Sequence, residues 1–309
     1  MPAQQQSLSL CDITIQNYNM RVSIQITFIF FFFSIINPLI AQQTNVYPQE
    51  TIPNTEVRFI HSSFVGDDFK ISVAFPSDYF SSDSSYAVLY LTDANSGFAA
   101  VTQMLRILQW NNEVPKMLIV GIGYPSDSLS GILRSRDYTP TIIPDSMSHH
   151  LPTGGASKFV SFIKEELMPF IRKNYRASSD ASYAGVSYGG LLGLYILFHE
   201  PSIFQRYIIA SPSVWFDNRI TLKYEEEYAH AHTYLNAKLF MCVGELEETE
   251  TGLLGYNMVS NMKLLSNQML KRHYQNFNLQ THIFSGDTHY SISFPGYSMG
   301  LRAIFRNSH

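Results

Sequence analysis

The pentapeptide GVSYG at residues 185–189 has the G-x-S-x-G pattern of a serine nucleophile placed at a sharp turn. A strand-like run at 181–184 precedes it, and an apolar, helix-like run at 191–197 follows it. A turn between strand and helix pushes the serine hydroxyl out of the sheet, where a histidine can take its proton. Because glycine and serine are common, the flanks carry the inference, and the alternative is an incidental serine in a glycine-rich turn. We therefore predict that Ser187 is a catalytic nucleophile.

His289 is the candidate general base. It lies in the loop SGDTHYS at 285–291, directly after a strand-like run at 279–284. A polar loop after a strand is where such a fold presents a base, and the histidine comes last in the chain order of this kind of triad. His282 lies inside the strand run and is predicted to be structural. The histidines show no zinc-like spacing with a third ligand, so we predict no metal and no other cofactor.

The acid of the triad should lie between the serine and the histidine, just after a strand. The strand-like run 237–244 leads directly into Glu245, Glu247 and Glu248. One of these carboxylates would accept the imidazole N–H and fix the tautomer of the ring. We favour Glu247, with Glu245 as the second choice, and the alternative is that these glutamates are solvated surface residues.

Two backbone N–H groups are needed to stabilise the oxyanion of a tetrahedral intermediate. Tyr188, the residue after the nucleophile, should supply one of them. The other should come from the loop after the third strand, where the apolar run 86–92 opens into a polar stretch. Ala94 or Asn95 is the candidate at that position, and we favour Ala94.

Other side chains are candidates for binding a substrate. Arg134 and Arg136 could bind an anionic or catecholate group, and the alternative is a structural ion pair between Arg136 and Asp137. Trp215 follows a strand end and could form the wall of an acyl or aromatic pocket, or else pack in the core. The sequence leaves these alternatives open.

Several segments resemble the esterase D-like family of α/β-hydrolase esterases. They are LYLTDAN (89–95), VGIGYP (120–125), RSRDYTP (134–140), ASPSVWF (210–216), VGELE (243–247) and GDTH (286–289). The similarity is collinear from about residue 55 to 306, and its nearest branch is the trilactone siderophore esterases that hydrolyse enterochelin and salmochelin. It implies Ser187 as nucleophile, His289 as base and an acid within 245–247. The chain departs from the family pattern at Ala94, where glycine is frequent, and at Tyr188, where a small residue, leucine or histidine is frequent.

The resemblance implies a serine carboxylic-ester hydrolase whose small-molecule substrate is an ester of an iron siderophore. A carbohydrate-linked acetyl or feruloyl ester is the alternative substrate. An acyltransferase, in which an alcohol replaces water, and a non-catalytic binding protein are the alternative classes, and a complete triad pattern argues against the last. The net charge of −4 and the lack of Lys/Arg clusters predict no nucleic-acid partner. The oligomeric state stays open.

Strand-like and helix-like runs alternate along the chain. Strands are predicted at 56–63, 69–75, 86–92, 116–122, 181–186, 205–211, 237–243 and 278–284, and helices at 97–109, 155–175, 188–199, 255–274 and 295–306. The alternation predicts one α/β domain over 42–309, with a mostly parallel sheet, helices on both faces and catalytic loops at the strands' carboxyl ends. The resemblance implies that this domain has the α/β-hydrolase fold. The segment 124–154 is predicted to be an active-site loop and 217–235 a small cap element. Pro169 is expected to kink or shorten the helix at 155–175.

Residues 1–41 are predicted to be a signal peptide, with Met20 as an alternative start of translation. A basic segment begins at Met20, an apolar run spans 24–36, and a small-residue cleavage site ends at Ala41. The apolar run is shorter than the roughly 20 residues that span a membrane, and the alternative is an uncleaved anchor. The mature protein, from Gln42, is therefore predicted to be exported to the periplasm or the cell exterior, with no membrane partner after cleavage.

Overall fold

The computed structural model describes residues 50–250, 253 and 255–305, and this part of the chain is built on an eight-stranded sheet. The strands are β1 (Thr55–His61), β2 (Asp68–Ala74), β3 (Tyr86–Leu91), β4 (Met117–Gly123), β5 (Ala177–Val186), β6 (Arg206–Ala210), β7 (Tyr234–Gly244) and β8 (Gln275–Phe284). Their order in the sheet is β1-β2-β4-β3-β5-β6-β7-β8. Strand β2 is antiparallel to β1 and β4, whereas all pairs from β4 to β8 are parallel.

Helices connect the strands. They are α1 (Ala94–Trp110), α2 (Asp127–Tyr138), α3 (Asp145–Ser148), α4 (Ala156–Ser161), α5 (Met168–Asn174), α6 (Tyr188–His199), α7 (Phe216–Ala231), α8 (Met258–Arg272) and α9 (Ser293–Phe305). A π turn (Phe162–Leu167) joins α4 to α5, and short 3-10 turns cover Tyr79–Ser81 and Glu245–Glu248. From Ile52 onward the described residues form one compact unit. All eight predicted strands and all five predicted helices are present in this unit, with small shifts at their ends.

The central strands are apolar on both sides because helices cover both faces of the sheet. In β3, Val88 and Tyr90 pack into one core, and Leu89 and Leu91 pack into the other. Helices α1 and α9 cover the Leu89 side, whereas α5, α6 and α8 cover the opposite side. The helix residues that contact the two cores include Val101, Leu105 and Leu301 on the Leu89 side, and Ile171, Leu192 and Leu265 on the other.

The segment 124–154 differs from its prediction, because most of its first half is the helix α2 rather than a loop. The buried face of α2 includes the polar residues Ser135 and Asp137. Asp137 is satisfied inside the fold by Tyr124 Oη at 3.0 Å and by a two-bond pair with Arg136. Polar residues on a buried face break the apolar periodicity by which an amphipathic helix is recognised. The sequence pattern therefore concealed this helix.

The predicted cap element at 217–235 is the helix α7, which packs against α6 and α8 within the helix layer.

The predicted helix at 155–175 is present, but it is divided into α4, the π turn and α5. The π turn ends two residues before Pro169, whose ring would clash with the carbonyl four residues earlier in a regular α-helix. The expected irregularity at the proline is thus confirmed. It takes the form of a widened turn.

The predicted signal peptide lies outside the described residues. Among the helices that the structure describes, none is long and apolar enough to cross a membrane.

Close packing of α9 on the sheet leads to the first testable prediction. A Cβ on Gly300 would clash with Ile208 and would lie 2.9 Å from Phe240 Cδ1, whereas a Cβ on Gly131 in α2 would meet nothing within 4 Å. We expect Gly300→Ala to lower the free energy of unfolding by about 1–3 kcal/mol through overpacking. Gly131→Ala should raise it by up to about 1 kcal/mol, because alanine favours a helix. Urea unfolding measures both, and equal midpoints for the two variants would contradict the packing argument.

Candidate active site

Ser187 occupies the turn between β5 and α6. Its backbone has a φ of 58° and a ψ of −118°, a conformation that a non-glycine residue holds only under constraint from its surroundings. The Ser187 N–H donates to the Ala210 carbonyl at 3.0 Å, and the Ser187 carbonyl accepts from the Leu191 N–H at 3.0 Å. These bonds tie the turn to β6 and to the first turn of α6. The result is the strand, turn and helix context that the motif requires.

Gly185 and Gly189 make this turn sterically possible. A Cβ on Gly185 would lie 2.5 Å from the Gly189 carbonyl oxygen, and a Cβ on Gly189 would lie 2.6 Å from Thr92 Oγ1. Separations this short are not compatible with a side chain. Glycine at both positions therefore allows β5, α6 and the end of β3 to meet.

Glu247 and His289 form a short hydrogen bond, with 2.7 Å between His289 Nδ1 and Glu247 Oε2. The Glu247 side chain is fully buried. Its other oxygen, Oε1, accepts hydrogen bonds from Ser211 Oγ at 2.5 Å and from the Gly244 N–H at 2.7 Å. A buried carboxylate requires such partners, because burial without them is strongly unfavourable. Since Glu247 is an acceptor, the neutral His289 ring carries its proton on Nδ1 and has its lone pair on Nε2.

Glu245 has a different role in the same 3-10 turn. Its side chain is exposed, and Oε2 accepts from Ser285 Oγ at 2.7 Å and from the Gly286 N–H at 3.2 Å. These hydrogen bonds lower the pKa of Glu245. Glu245 therefore holds the start of the histidine loop, whereas Glu247 contacts His289 itself.

Ala94 and Tyr188, the two candidate oxyanion donors, are each the first residue of a helix, α1 and α6 respectively. The first N–H groups of a helix have no acceptor within the helix, so both amides can donate to a ligand. The Asn95 side chain holds the start of α1 against the end of β4. Its Nδ2 donates to the Tyr124 carbonyl at 2.8 Å, and its Oδ1 accepts from the Tyr124 N–H at 2.7 Å.

A cavity of about 670 Å³ opens beside Ser187, a volume in the range of small-molecule sites. Its lining includes Ser187, His289, Asp93, Asn95, Tyr124 and Arg134. The ends of β3, β4 and β5, the histidine loop and α2 therefore all contribute to one concave site. The sequence predicted Ser187, His289 and Arg134 as separate candidates, and the structure brings all three to one cavity.

Arg134 reaches the cavity from α2, where its guanidinium pairs with Asp93. Arg134 Nε lies 2.6 Å from Asp93 Oδ1, and Nη2 lies 3.0 Å from Oδ2. Burial acts to lower the pKa of the guanidinium, but the Asp93 carboxylate outweighs this effect and raises that pKa above its ordinary value. Arg134 is therefore a permanent cation with a resident counter-ion.

Arg136 and Trp215 lie elsewhere. In the described part of the chain, neither lines the cavity that contains Ser187. Arg136 pairs with Asp137 and with Asp67, whose Oδ2 is 2.6 Å from Nη1. Trp215 stacks on Tyr256, with 4.0 Å between ring centroids and 4° between planes. Arg136 therefore forms the structural ion pair that was its alternative role, and Trp215 is engaged in aromatic packing.

Sequence reasoning missed three residues that support the site. Asp93 neutralises Arg134, Ser211 donates to the Glu247 carboxylate, and Ser213 Oγ lies 3.5 Å from Ser187 Oγ. Their positions directly after strands β3 and β6 were the available signal, because strand ends at this edge of a parallel sheet converge on the site.

Metal binding and thiol chemistry are two further possibilities in the described part of the chain. Among the described residues, no group of three or more His, Cys, Asp and Glu side chains is arranged to hold a metal ion. Burial, and to a lesser extent the Glu247 carboxylate, raise the pKa of the Cys242 thiol. Cys242 is therefore held in its protonated form, which is a poor nucleophile.

Comparisons with known proteins show the family to which the chain is similar. The family model named Esterase matches residues 62–292, which is most of the chain. The chain belongs to this esterase family. Ferri-bacillibactin esterase BesA of Bacillus subtilis is 31% identical over 252 residues, which cover 75% of this chain and 86% of that protein.

Solved structures are also similar to this chain. The BES protein from Bacillus cereus matches with a TM-score of 0.75 and 30% identity, covering 84% of this chain and 99% of that one. Siderophore hydrolase EstA from Aspergillus nidulans matches with a TM-score of 0.74 and 26% identity, covering 82% and 97%. These similarities confirm the predicted α/β-hydrolase fold, and the family membership identifies the protein as a carboxylic-ester hydrolase.

The contacts of Glu247 lead to a prediction about its charge. Three donors meet the two carboxylate oxygens, but the amide of Glu247→Gln has one oxygen, so either His289 or Gly244 loses its acceptor. By analogy with the loss of tautomer control in serine proteases, we expect kcat to fall by about 10³- to 10⁴-fold. Esterase assays with a p-nitrophenyl ester measure this. Glu245→Gln should change kcat by less than about threefold, because both of its contacts to the histidine loop use one oxygen, which the amide keeps. The reverse ranking of the two variants would assign the acid to Glu245.

Proposed function

We propose that this protein is an exported serine esterase that hydrolyses the ester bonds of a siderophore trilactone. The observation that carries the mechanism is the pairing of His289 with buried Glu247 at a cavity that also contains the strained Ser187. The substrate class is supported by the relatives, since BesA is named a ferri-bacillibactin esterase and EstA a siderophore hydrolase.

The chemistry follows the general course of a serine hydrolase. Nε2 of His289 takes the proton of the Ser187 hydroxyl as Oγ attacks the ester carbonyl carbon. The tetrahedral intermediate collapses, and His289 returns the proton to the departing alkoxide, which leaves as an alcohol. Water then attacks the acyl-enzyme with His289 again as base, and this second step releases the carboxylic acid and free Ser187. Glu247 stabilises the imidazolium that forms in each step.

The negative oxygen of each intermediate is assigned to the amides of Tyr188 and Ala94. Both belong to the first turns of helices, so the positive ends of the α6 and α1 dipoles reinforce the two hydrogen bonds. The departure from glycine at Ala94 does not remove the donor, because only its backbone is used.

The nucleophile assignment is tested by comparing the mature protein with Ser187→Ala on a p-nitrophenyl ester and on a triscatecholate trilactone. We expect the wild type to hydrolyse both, with a higher kcat/KM for the trilactone, and the variant to lose at least about 10³-fold in kcat. A preference for acetylated or feruloylated carbohydrate over the trilactone would replace the siderophore assignment. Transfer of the acyl group to an added alcohol in preference to water would identify an acyltransferase. Equal rates for wild type and Ser187→Ala would reject the triad.

Export is tested by expressing the full chain in a secreting host and determining the N-terminus of the protein recovered outside the cytoplasm. We expect a mature chain that starts at Gln42, because the residues before it have the layout of a signal peptide. Phe30→Asp together with Phe32→Asp should retain the chain inside the cell, since a charge disrupts the apolar segment. A membrane-bound chain that still carries residues 20–41 would indicate an uncleaved anchor.

A further inference from the structure

We propose that Arg134 is a positioning residue that holds the two halves of the oxyanion hole together, rather than an anchor for the substrate. The inference rests on the proposed function, because it takes Ala94 and Tyr188 as the oxyanion donors. It concerns the geometry of one guanidinium group, which bridges the segments that carry these two amides.

The bridge consists of three hydrogen bonds. Nε and Nη2 of Arg134 donate to the two carboxylate oxygens of Asp93 at 2.6 and 3.0 Å, and Nη2 also lies 3.4 Å from the Val186 carbonyl oxygen. Asp93 directly precedes Ala94, and Val186 directly precedes Ser187. A single side chain from α2 therefore contacts both the β3–α1 turn and the β5–α6 turn.

The backbone pairing between β3 and β5 ends just before these two turns. Strands β3 and β5 are paired up to Leu91 opposite Ala184, and the Thr92 N–H still donates to the Ala184 carbonyl at 3.1 Å. After that the chain turns sharply on both sides, with a φ of 56° at Asp93 and 58° at Ser187. At this level β3 has ended, whereas β5 reaches its last residue, Val186, which is paired only with β6. The Arg134 guanidinium therefore continues the link between the β3 and β5 segments where their own pairing has stopped.

The surroundings of Arg134 suit a fixed structural group. Its guanidinium carbon lies 5.3 Å from the Tyr138 ring centroid and 5.5 Å from the Tyr188 ring centroid, so cation–π contacts help to fix its plane. The side chains of Arg134 and Asp93 are only 23% and 16% exposed. The Tyr138 hydroxyl also accepts from the Asp93 N–H at 3.3 Å, which restrains the same turn.

The charge balance argues against an anchor for anions. Asp93 neutralises Arg134, and the exposed Asp127 adds a further carboxylate to the cavity lining. An anionic substrate group would have to compete with a bidentate carboxylate that is already in place, which is among the stronger polar pairs in proteins. A residue with these contacts is better suited to orient the backbone than to recognise charge.

The two roles predict different kinetics for Arg134→Lys, which keeps the charge but loses the planar fork. If Arg134 orients the oxyanion hole, kcat should fall by about 10- to 100-fold on every ester, because a displaced donor weakens binding of the transition state. KM should stay within about twofold, because the same displacement affects the ground state little. If Arg134 anchors an anionic substrate, the loss should appear in KM and only for anionic esters.

The experiment compares a neutral ester, p-nitrophenyl acetate, with an anionic one, mono-p-nitrophenyl succinate. For Arg134→Lys and for Asp93→Asn, we expect each variant to lose the same factor in kcat on both substrates. The double variant should lose no more kcat than the more impaired of the two single variants. A trifluoromethyl ketone, which forms a tetrahedral adduct with the serine, should bind to each variant more weakly by the same factor as kcat falls. A role in folding alone would change the melting temperature, but it would change neither kcat nor the affinity of the folded enzyme for the trifluoromethyl ketone.

Arg272→Lys is the matched control, because Arg272 forms a comparable pair with buried Glu225 between α7 and α8. It should alter thermal stability without changing kcat. If Arg134→Lys does not fold, Asp93→Asn tests the same link from the other partner. Unchanged kcat on the neutral ester, or a loss confined to KM on the anionic ester, would overturn the inference. Failure of the wild type itself to hydrolyse either p-nitrophenyl acetate or the trilactone would instead reject the proposed function.

Discussion

The conformation of Ser187 is the constraint on which the site depends. A serine with a φ of 58° at the end of a strand is strained, at a cost of order 1–3 kcal/mol, and it persists only where its neighbours permit no alternative. Those neighbours are Gly185 and Gly189, which allow β5, α6 and β3 to approach within contact distance, and the hydrogen bond from Ser187 to β6. The strain therefore ties the position of the serine to the packing of the central strands.

Burial organises the pair formed by Glu247 and His289. Placing Glu247 inside the protein is tolerable because three donors satisfy its two oxygens, and one of the three is the imidazole. The same turn is bound to the histidine loop by the Leu246 N–H, which donates to the Asp287 carbonyl at 3.0 Å, and by Glu245. The orientation of His289 thus follows from the connection between the ends of β7 and β8.

A third network, formed by Arg134 with Asp93 and Val186, reaches the residue before the serine. It arises from α2, a helix whose buried face is partly polar. Together the networks surround Ser187, the proposed nucleophile, with groups whose own partners fix them. Fixed groups of this kind can stabilise a transition state without reorganisation. The cavity beside Ser187 holds no net positive charge from Arg134, because Asp93 compensates that side chain.

Local patterns determined much of this protein. Apolar runs of strand and helix length predicted all eight strands, and the G-x-S-x-G segment between such runs singled out Ser187, because both signals depend on neighbours along the chain. The sequence could not separate Glu245 from Glu247 by pattern, and it could not tell that Arg134 lines the cavity whereas Arg136 pairs with Asp67. In each case two similar side chains lie two residues apart on one short element. Which of them faces inward depends on contacts with the segments that flank β8, β3 and β2, and only the tertiary structure brings those segments to them.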